Sequence, residues 1–222
     1  MNADGTGVRR LGVGSLGATD PDYRPRSGSE IVFVGREVGK FASGLFSVRS
    51  DGTGLGTIVA PTTFVIANPR WSPKGDRLSY TSLAVDHSTP ARPHIVDADG
   101  TNDRILGSFA EDETGGLPNL WSNDGTRLLI GRCHRPSVDD TGCDLRYSIV
   151  AVDGLGPEQM IADGILDFGD SSQAWAPDDS YIVASTSQGE QTATQLWDTS
   201  NGTVRAATWA AGGPSSVQRR AP

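Results

Sequence analysis

The sequence lacks a long apolar segment. No run approaches the roughly 18 residues that a membrane-spanning helix needs. The most apolar stretch, residues 55–67, is interrupted by Pro61 and by threonines. The first residues, MNADGTGVRRLGVG, also lack the basic start and the continuous apolar core of a signal peptide. We therefore expect no membrane span, and an export signal, if the protein has one, lies outside this sequence.

Positive charge is also scarce. There are 19 Lys and Arg residues against 27 Asp and Glu residues, which gives a formal net charge of −8. Domains that bind nucleic acid usually carry an excess of positive charge, so the sequence predicts no nucleic-acid partner. At 36% hydrophobic and 21% charged residues, the chain is apolar enough to fold around a core.

The common catalytic motifs are absent. No serine has glycine two residues before and two residues after it, so there is no nucleophile elbow, and there is no phosphate-binding P-loop. The three histidines, His87, His94 and His134, are not spaced as a ligand cluster. We expect His94 to be a hydrogen-bonded strand residue, and His87 lies in a variable loop. We predict no cofactor, although acid–base chemistry built from distant residues leaves no such pattern.

The sequence is instead rich in turn residues that recur with a period. Its 28 glycines and 13 prolines are spread along the chain, which favours many turns and short strands. Three segments align without gaps, and Tyr23 begins a degenerate fourth copy, YRPRSGSEIVFV. The aligned segments are WSPKGDRLSY from Trp71, WSNDGTRLLI from Trp121 and WAPDDSYIVA from Trp175.

A second marker, Asp-Gly or Asn-Gly, runs out of phase with the first. Its glycines are Gly5, Gly52, Gly100, Gly154 and Gly202. Such pairs tolerate the positive φ that hairpin turns require. Two interleaved markers with one period of about 50 residues indicate a structural repeat.

Each repeat is predicted to contain four short strands. One strand ends at the Trp, a β-branched strand follows the turn, a third strand ends at the Asp-Gly pair, and a short fourth strand completes the unit. This pattern predicts an all-β fold, a β-propeller of four-stranded antiparallel blades. We expect the recurring Trp to fill the space between neighbouring blades.

At these residues the chain resembles the TolB-like propellers, whose WD-like repeats have the form W-S-P-D-G followed by M-N-A-D-G. The resemblance implies about four complete blades plus a partial one, as part of a six-bladed ring. An alternative is a smaller ring that closes by pairing residues 7–12 with the C-terminal sheet. The predicted boundaries are 1–22 for an outer strand of an incomplete blade, 23–70, 71–120, 121–174 and 175–213 for blades, and 214–222 for the start of another.

Cys133 and Cys143 flank the loop between a second and a third strand. Opposed positions across a hairpin lie near disulfide distance, so we predict a disulfide, which favours an oxidising compartment. A metal site made of the two cysteines and His134 is the alternative, but three ligands without a CxxC pair fit zinc poorly. The disulfide agrees with the periplasmic or extracellular location common in the resembled family.

Two acidic stretches are expected to be structural. Asp97, Asp99 and Asp103 do not match the spacing of an EF-hand loop, so a hairpin turn is predicted there. Residues 111–113, Glu-Asp-Glu, are expected to form a solvated loop, although loops between blades also build binding surfaces.

The leading hypothesis for function is a non-enzymatic scaffold that binds a protein or peptide partner in the cell envelope or outside the cell. Two alternatives remain: the propeller domain of a prolyl oligopeptidase-like peptidase, and a sugar-active propeller enzyme such as a metal-dependent lyase. An open ring would also favour self-association.

Overall fold

The computed structural model describes residues 6–8, 10–111, 113–116, 119–134, 144–163, 172–188 and 191–207. Within these residues the secondary structure consists of 17 strands and no helix, so no helix is long and apolar enough to cross a membrane. The all-β expectation is confirmed.

The strands form four antiparallel sheets, numbered here in chain order. Sheet 1 contains β1 (Leu16–Tyr23), β2 (Glu30–Glu37), β3 (Gly44–Arg49) and β4 (Gly56–Val59). Sheet 2 contains β5 (Phe64–Trp71), β6 (Arg77–Ala84), β7 (Arg92–Asp97) and β8 (Arg104–Ile105). Sheet 3 contains β9 (Glu113–Gly115), β10 (Leu120–Trp121), β11 (Arg127–His134), β12 (Asp144–Ala151) and β13 (Gln159–Asp163). Sheet 4 contains β14 (Ser172–Trp175), β15 (Tyr181–Gln188), β16 (Gln191–Asp198) and β17 (Val204–Ala206).

Strand order in each sheet follows chain order, as in a propeller blade. In sheet 3 the first strand is split, and β9 and β10 both pair with β11. The short turns after the first and third strands lie at one end of every sheet, which we call the turn end. The connections between second and third strands, and from one sheet to the next, lie at the opposite end, the loop end.

The predicted boundaries need correction at the start of the chain. Residues 1–22 were expected to hold the outer strand of an incomplete blade, but Leu16–Tyr23 form β1, the first strand of sheet 1. Among residues 7–12 the described positions form no strand. Leu11 and Val13 instead pack against the face of sheet 1 that carries Phe33 and Phe46, because that apolar face would otherwise be exposed.

Each blade also begins earlier than predicted. The Trp ends the first strand of its own sheet, so β5 starts at Phe64 and includes Trp71. The fourth blade begins by the same logic at Ser172. The predicted final segment, residues 214–222, lies outside the described residues.

The three repeated tryptophans lie between successive sheets. Trp71, Trp121 and Trp175 are only 4–5% exposed. Trp71 packs in a cluster with Val32 and Leu45 of sheet 1, and each later Trp likewise packs on side chains of the sheet before it. Burial of so large an aromatic surface is a major source of adhesion between blades.

Two of these tryptophans also form the same hydrogen bond. The indole Nε1 of Trp121 donates to the carbonyl of Arg70 at 3.2 Å, and that of Trp175 donates to the carbonyl of Leu120 at 3.0 Å. Each acceptor is the residue just before the Trp of the preceding sheet. The Nε1 of Trp71 is buried without a hydrogen-bond partner, and Asp22 of sheet 1 instead accepts from the Trp71 backbone N–H at 2.8 Å.

Glycines of the second marker sit in turns at the turn end. Gly52, Gly100, Gly154 and Gly202 have φ between 73° and 86°, where a side chain would be strained. Gly5 lies outside the described residues. In most of these turns an Asp or Asn side chain accepts the backbone N–H two residues later, as between Asp99 and Thr101, which stabilises the turn locally.

Sheets 1 to 4 pack one on the next along the chain. The described strands of sheets 1 and 4 have at most marginal contact with each other. The four described blades therefore form an arc of a propeller.

We predict that Trp121→Phe destabilises the protein more than Trp71→Phe, by about 1–2 kcal/mol. Both changes remove similar buried volume, but only the first breaks a hydrogen bond, while the second removes an N–H that is buried without a partner. Urea unfolding curves of the two variants measure the difference. Equal losses of stability would show that the indole hydrogen bond does not hold sheets 2 and 3 together.

Candidate functional site

A cleft of about 640 Å³ opens at the loop end of sheet 2. We call it the sheet-2 cleft. Exposed apolar side chains, hydroxyls and charged groups of both signs share its walls. Its lining residues are Phe64, Ser82, Ser88, Thr89, Pro90, Arg92, His94, Ile105 and Glu111. Clefts that combine apolar walls with a few convergent polar groups are typical of binding sites.

Four side chains of sheet 2 form a continuous hydrogen-bonded network beside this cleft. The Oγ of Ser82 lies 3.0 Å from Nε2 of His94, and Nδ1 of His94 lies 3.0 Å from Oδ1 of Asp103. The hydroxyl of Tyr80 donates to Oδ2 of Asp103 at 2.7 Å and lies 3.2 Å from Nδ1 of His94. Ser82 and His94 both line the cleft, so one end of the network faces it.

The strand register explains how these residues meet. Tyr80 and Ser82 are two residues apart in β6 and share a face of the sheet. His94 of β7 lies directly opposite Tyr80, and its ring stacks on the Tyr80 ring with 4.8 Å between centroids. Asp103 immediately precedes β8, whose Ile105 pairs with His94.

The hydrogen bonds indicate which groups of the network carry protons. Burial alone would raise the pKa of Asp103, but hydrogen bonds from His94 and Tyr80 and the nearby imidazole bring it below its usual value. A charged Asp103 accepts a hydrogen bond from Nδ1–H of His94, which leaves Nε2 of His94 as the acceptor for the Ser82 hydroxyl. Burial and the contact with Asp103 raise the pKa of Tyr80, so its hydroxyl stays protonated and donates.

Sheet 3 carries a related network at the matching positions. The alignment of Trp71 with Trp121 places Arg132 at the position of Ser82, and Ser148 at the position of His94. The same register places Glu158 at the position of Asp103. Arg132 donates to Ser148 at 3.0 Å and forms an ion pair with Glu158.

The two networks leave different amounts of space. The side chain of Arg132 is 4% exposed; it fills its site, bonds Glu113 at 2.9 Å and lies 4.0 Å from the Phe109 ring. Ser82 is a much smaller residue in the same position. The sheet-2 cleft therefore lies where sheet 3 holds a buried arginine.

Arg92 supports one wall of the cleft. Its guanidinium donates to the carbonyls of Ala91, Ala110 and Glu113 and lies 4.9 Å from the Phe109 ring. These bonds attach the connection between sheets 2 and 3 to β7. The cleft wall is therefore held by several carbonyl contacts to one cation.

A second, apolar cavity of about 250 Å³ lies on the other face of sheet 2, against sheet 3. It is lined by Val65, Ala67, Thr81, Leu83, Ala91, Thr114, Gly115, Gly116 and Gly131. Asn119 donates to Thr81 at 2.7 Å nearby, while its own side-chain oxygen is buried without a partner. This cavity has no charged lining residue and offers only shape and apolar contact.

Several predicted residues lie away from the cleft. Cys133 is disulfide-bonded, but Cys143 lies outside the described residues, so the pairing stays a prediction. His134 ends β11. His87 lies in the loop after β6 with φ of 56°.

The acidic stretches divide between structure and the site. Asp99 accepts from Thr101, and Asp97 accepts from Asn102 at 2.7 Å, whereas Asp103 belongs to the network beside the cleft. Glu111 is exposed at the cleft, and Asp112 lies outside the described residues. Glu113 was expected to be solvated, but it pairs with buried Arg132, which needs a counter-charge.

The comparisons with known proteins agree on the class of fold. Among solved structures, the chain is similar to an oligogalacturonate lyase in complex with manganese, at 15% identity and a TM-score of 0.69, over 87% of this chain and 54% of the lyase. A propeller domain of the Trilobed protease from Pyrococcus furiosus matches at 13% identity and a TM-score of 0.58, over 86% of this chain and 57% of that one. This architecture is a β-propeller.

The TolB resemblance is also found. TolB from Acinetobacter baumannii matches at 17% identity and a TM-score of 0.57, over 86% of this chain and 45% of TolB. The chain has the fold of the TolB-like propellers and spans about half the length of these structures. Scans against protein-family models and curated protein sequences gave no significant match.

The described residues do not fit a manganese site. Across the described ranges, no group of three His, Cys, Asp or Glu side chains is arranged to hold a metal ion. In the cleft itself, His94 and Asp103 are already bonded to each other. We therefore derive no metal-dependent step for this chain.

We predict that Asp103→Asn lowers stability by about 1–2 kcal/mol near neutral pH, since it weakens two hydrogen bonds to a charged acceptor. Because folding lowers the pKa of Asp103, the contribution of its carboxylate is fully present above the unfolded pKa of about 4 and is lost as the pH falls through the folded pKa. The stability gap between wild type and variant should therefore shrink below about pH 4. Urea unfolding at a series of pH values measures it.

Glu111→Gln is the matched control, because it removes a carboxylate from the exposed mouth of the same cleft. It should change stability little at any pH. If Asp103→Asn is as stable as wild type, or if the difference in stability does not depend on pH, the assigned charge of Asp103 is wrong.

Proposed function

We propose that this chain is a non-enzymatic scaffold of the TolB-like propeller type, and that it binds a peptide segment of a partner protein in the sheet-2 cleft. The observation that carries the proposal is the cleft itself, where two exposed apolar side chains stand beside polar groups of both signs. Phe64 and Ile105 are 36% and 51% exposed, and both line the cleft, so they offer a partner an apolar surface there.

The chemistry of the walls suits a peptide. Phe64 and Ile105 can hold an apolar side chain, while Arg92, Glu111 and the hydroxyls of the 88–89 loop can meet the polar backbone or a charged neighbour. The volume of about 640 Å³ is enough for a few residues of a partner but not for a folded domain. Arg92 is fixed by its bonds to the carbonyls of Ala91, Ala110 and Glu113, and Ser82 and His94 lie in paired strands, so this part of the site is formed before binding.

Two other functions are supported less. The manganese that is in complex with the lyase neighbour would find no fitting donor set among the described residues of this chain. Prolyl endopeptidases share the fold at 12% identity, but this chain covers only 29% of the matched structure, and the fold alone does not carry its activity. A propeller domain of such a peptidase remains the alternative reading.

We also propose a periplasmic or extracellular location, which the disulfide-bonded Cys133 supports. The arc of four blades further suggests that the chain self-associates if it acts alone. Size-exclusion chromatography with light scattering measures this oligomeric state.

Selection of random peptides displayed on phage against the purified chain tests the binding proposal. Peptides so obtained should bind Ile105→Ala about tenfold more weakly than wild type in fluorescence anisotropy, because burial of the lost methylene groups contributes about 1.5–2 kcal/mol. Val204→Ala is the control, since Val204 is an exposed apolar residue 38% accessible on the outer strand of sheet 4. It should bind as wild type does.

A second variant blocks the cleft. Ser82→Arg copies the arrangement of Arg132 with Glu158 and is expected to place a guanidinium on Asp103, which fills the cleft without unfolding sheet 2. Loss of peptide binding in this variant supports the proposal. Failure to select any peptide, or equal binding by Ile105→Ala and Ser82→Arg, would exclude the cleft as the binding site.

A further inference from the structure

We propose that Ser82 is a nucleophilic modification site, which accepts an acyl group from an activated ester bound in the sheet-2 cleft. This inference goes beyond partner binding, since it assigns a covalent step to one residue. It follows from the order of the contacts, which run from the Ser82 hydroxyl through His94 to the carboxylate of Asp103.

The geometry supplies the three parts that an activated serine needs. The hydroxyl lies 3.0 Å from a ring nitrogen that is free to accept its proton. The opposite ring nitrogen is held at 3.0 Å by a carboxylate, which fixes the tautomer and stabilises the ring when it becomes protonated. Tyr80 donates to the same carboxylate and packs on the ring, so the imidazole cannot easily turn away.

The cleft gives a route to Ser82 and has an apolar wall that suits an acyl group. Ser82 and His94 line the cleft; Ser82 is 7% exposed and the His94 side chain 18%, so an ester carbonyl reaches the hydroxyl only through the cleft. Phe64 and Ile105 form an apolar wall suited to a short acyl chain. Sheet 3 offers no such group at the matching position, because Arg132 is ion-paired there.

The proposed step is a single acyl transfer. As the Ser82 oxygen bonds to the carbonyl carbon, its proton passes to Nε2 of His94. The bond between the carbonyl carbon and the leaving oxygen then breaks, and the proton on Nε2 goes to that oxygen. The products are acyl-Ser82 and the free alcohol, with no net change in redox state.

Ser82 is not expected to release the acyl group in repeated cycles. Ser82 lies in β6 between β5 and β7, so its backbone N–H belongs to a strand ladder and does not sit at a sharp turn beside the hydroxyl. The residue therefore lacks the backbone donors that stabilise the oxyanion in fast acyl-transfer enzymes. We expect slow, stoichiometric acylation, which is compatible with a binding scaffold.

The test uses p-nitrophenyl butyrate, with release of p-nitrophenolate, intact mass and peptide mapping as readouts. The wild-type chain should release about one equivalent and carry one butyryl group on Ser82. Ser82→Ala should abolish this modification. Asp103→Asn should slow it by about tenfold or more, because an amide does not hold the same tautomer of His94.

Ser200→Ala is the control, since it removes an exposed hydroxyl from a turn of sheet 4 that does not line the cleft, and it should react as wild type does. His94→Gln should remove the reaction, because a glutamine side chain cannot take the proton of the Ser82 hydroxyl. Acylation that maps to another residue, or that proceeds equally in Ser82→Ala or Asp103→Asn, would overturn the inference. Peptide binding measured on Ser82→Ala distinguishes this failure from failure of the proposed function, because that variant leaves the cleft open.

Discussion

The packing of one tryptophan from each of sheets 2, 3 and 4 onto the preceding sheet is the contact on which the rest of the molecule depends. A single four-stranded sheet has two apolar faces and cannot bury both alone. Trp121 and Trp175 each cover one of these faces and reach the carbonyl before the preceding Trp, so packing and hydrogen bonding fix the same spacing between sheets. At Trp71 the indole N–H makes no such bond. Instead the backbone N–H of Trp71 donates to the carboxylate of Asp22.

This adhesion acts mainly near the turn end, where the first strands finish. Other interactions stabilise the loop end. Arg92 bonds the connection between sheets 2 and 3, and the buried Arg132 forms ion pairs with Glu113 and Glu158. The tryptophan clusters do not include these loop-end side chains, so the side chains there can differ between blades while the tryptophan packing is kept. Sheet 3 fills this position with Arg132, whereas sheet 2 has Ser82 there beside an open cleft.

The sequence was sufficient for the architecture because the repeat appears in local patterns. The Trp marker and the Asp-Gly turns each depend on residues close in the chain, so the four-stranded units could be predicted, with errors only at boundaries such as residues 16–23. The network beside the cleft could be predicted only in part. The spacing of Tyr80 and Ser82 in a strand implies a shared face, but the contact with His94 depends on the register of β6 with β7. The contact of Asp103 depends further on the shape of a turn.

Glu113 is another residue whose role could not be predicted from the sequence. In the sequence it is one of three neighbouring acidic residues and resembles a solvated loop, yet in the fold it is the counter-charge of a buried arginine 19 positions away. Charge that must be neutralised by a distant partner leaves no local pattern. The same reasoning applies to Asp103, which looks like a surplus carboxylate in an acidic turn. Its role becomes visible only where sheets 2 and 3 are compared position by position, because Glu158 holds the arginine of one blade as Asp103 holds the histidine of the other. The two blades thus share one polar arrangement: in sheet 3 it contains the buried ion pair of Arg132, and in sheet 2 it borders a cleft beside Ser82.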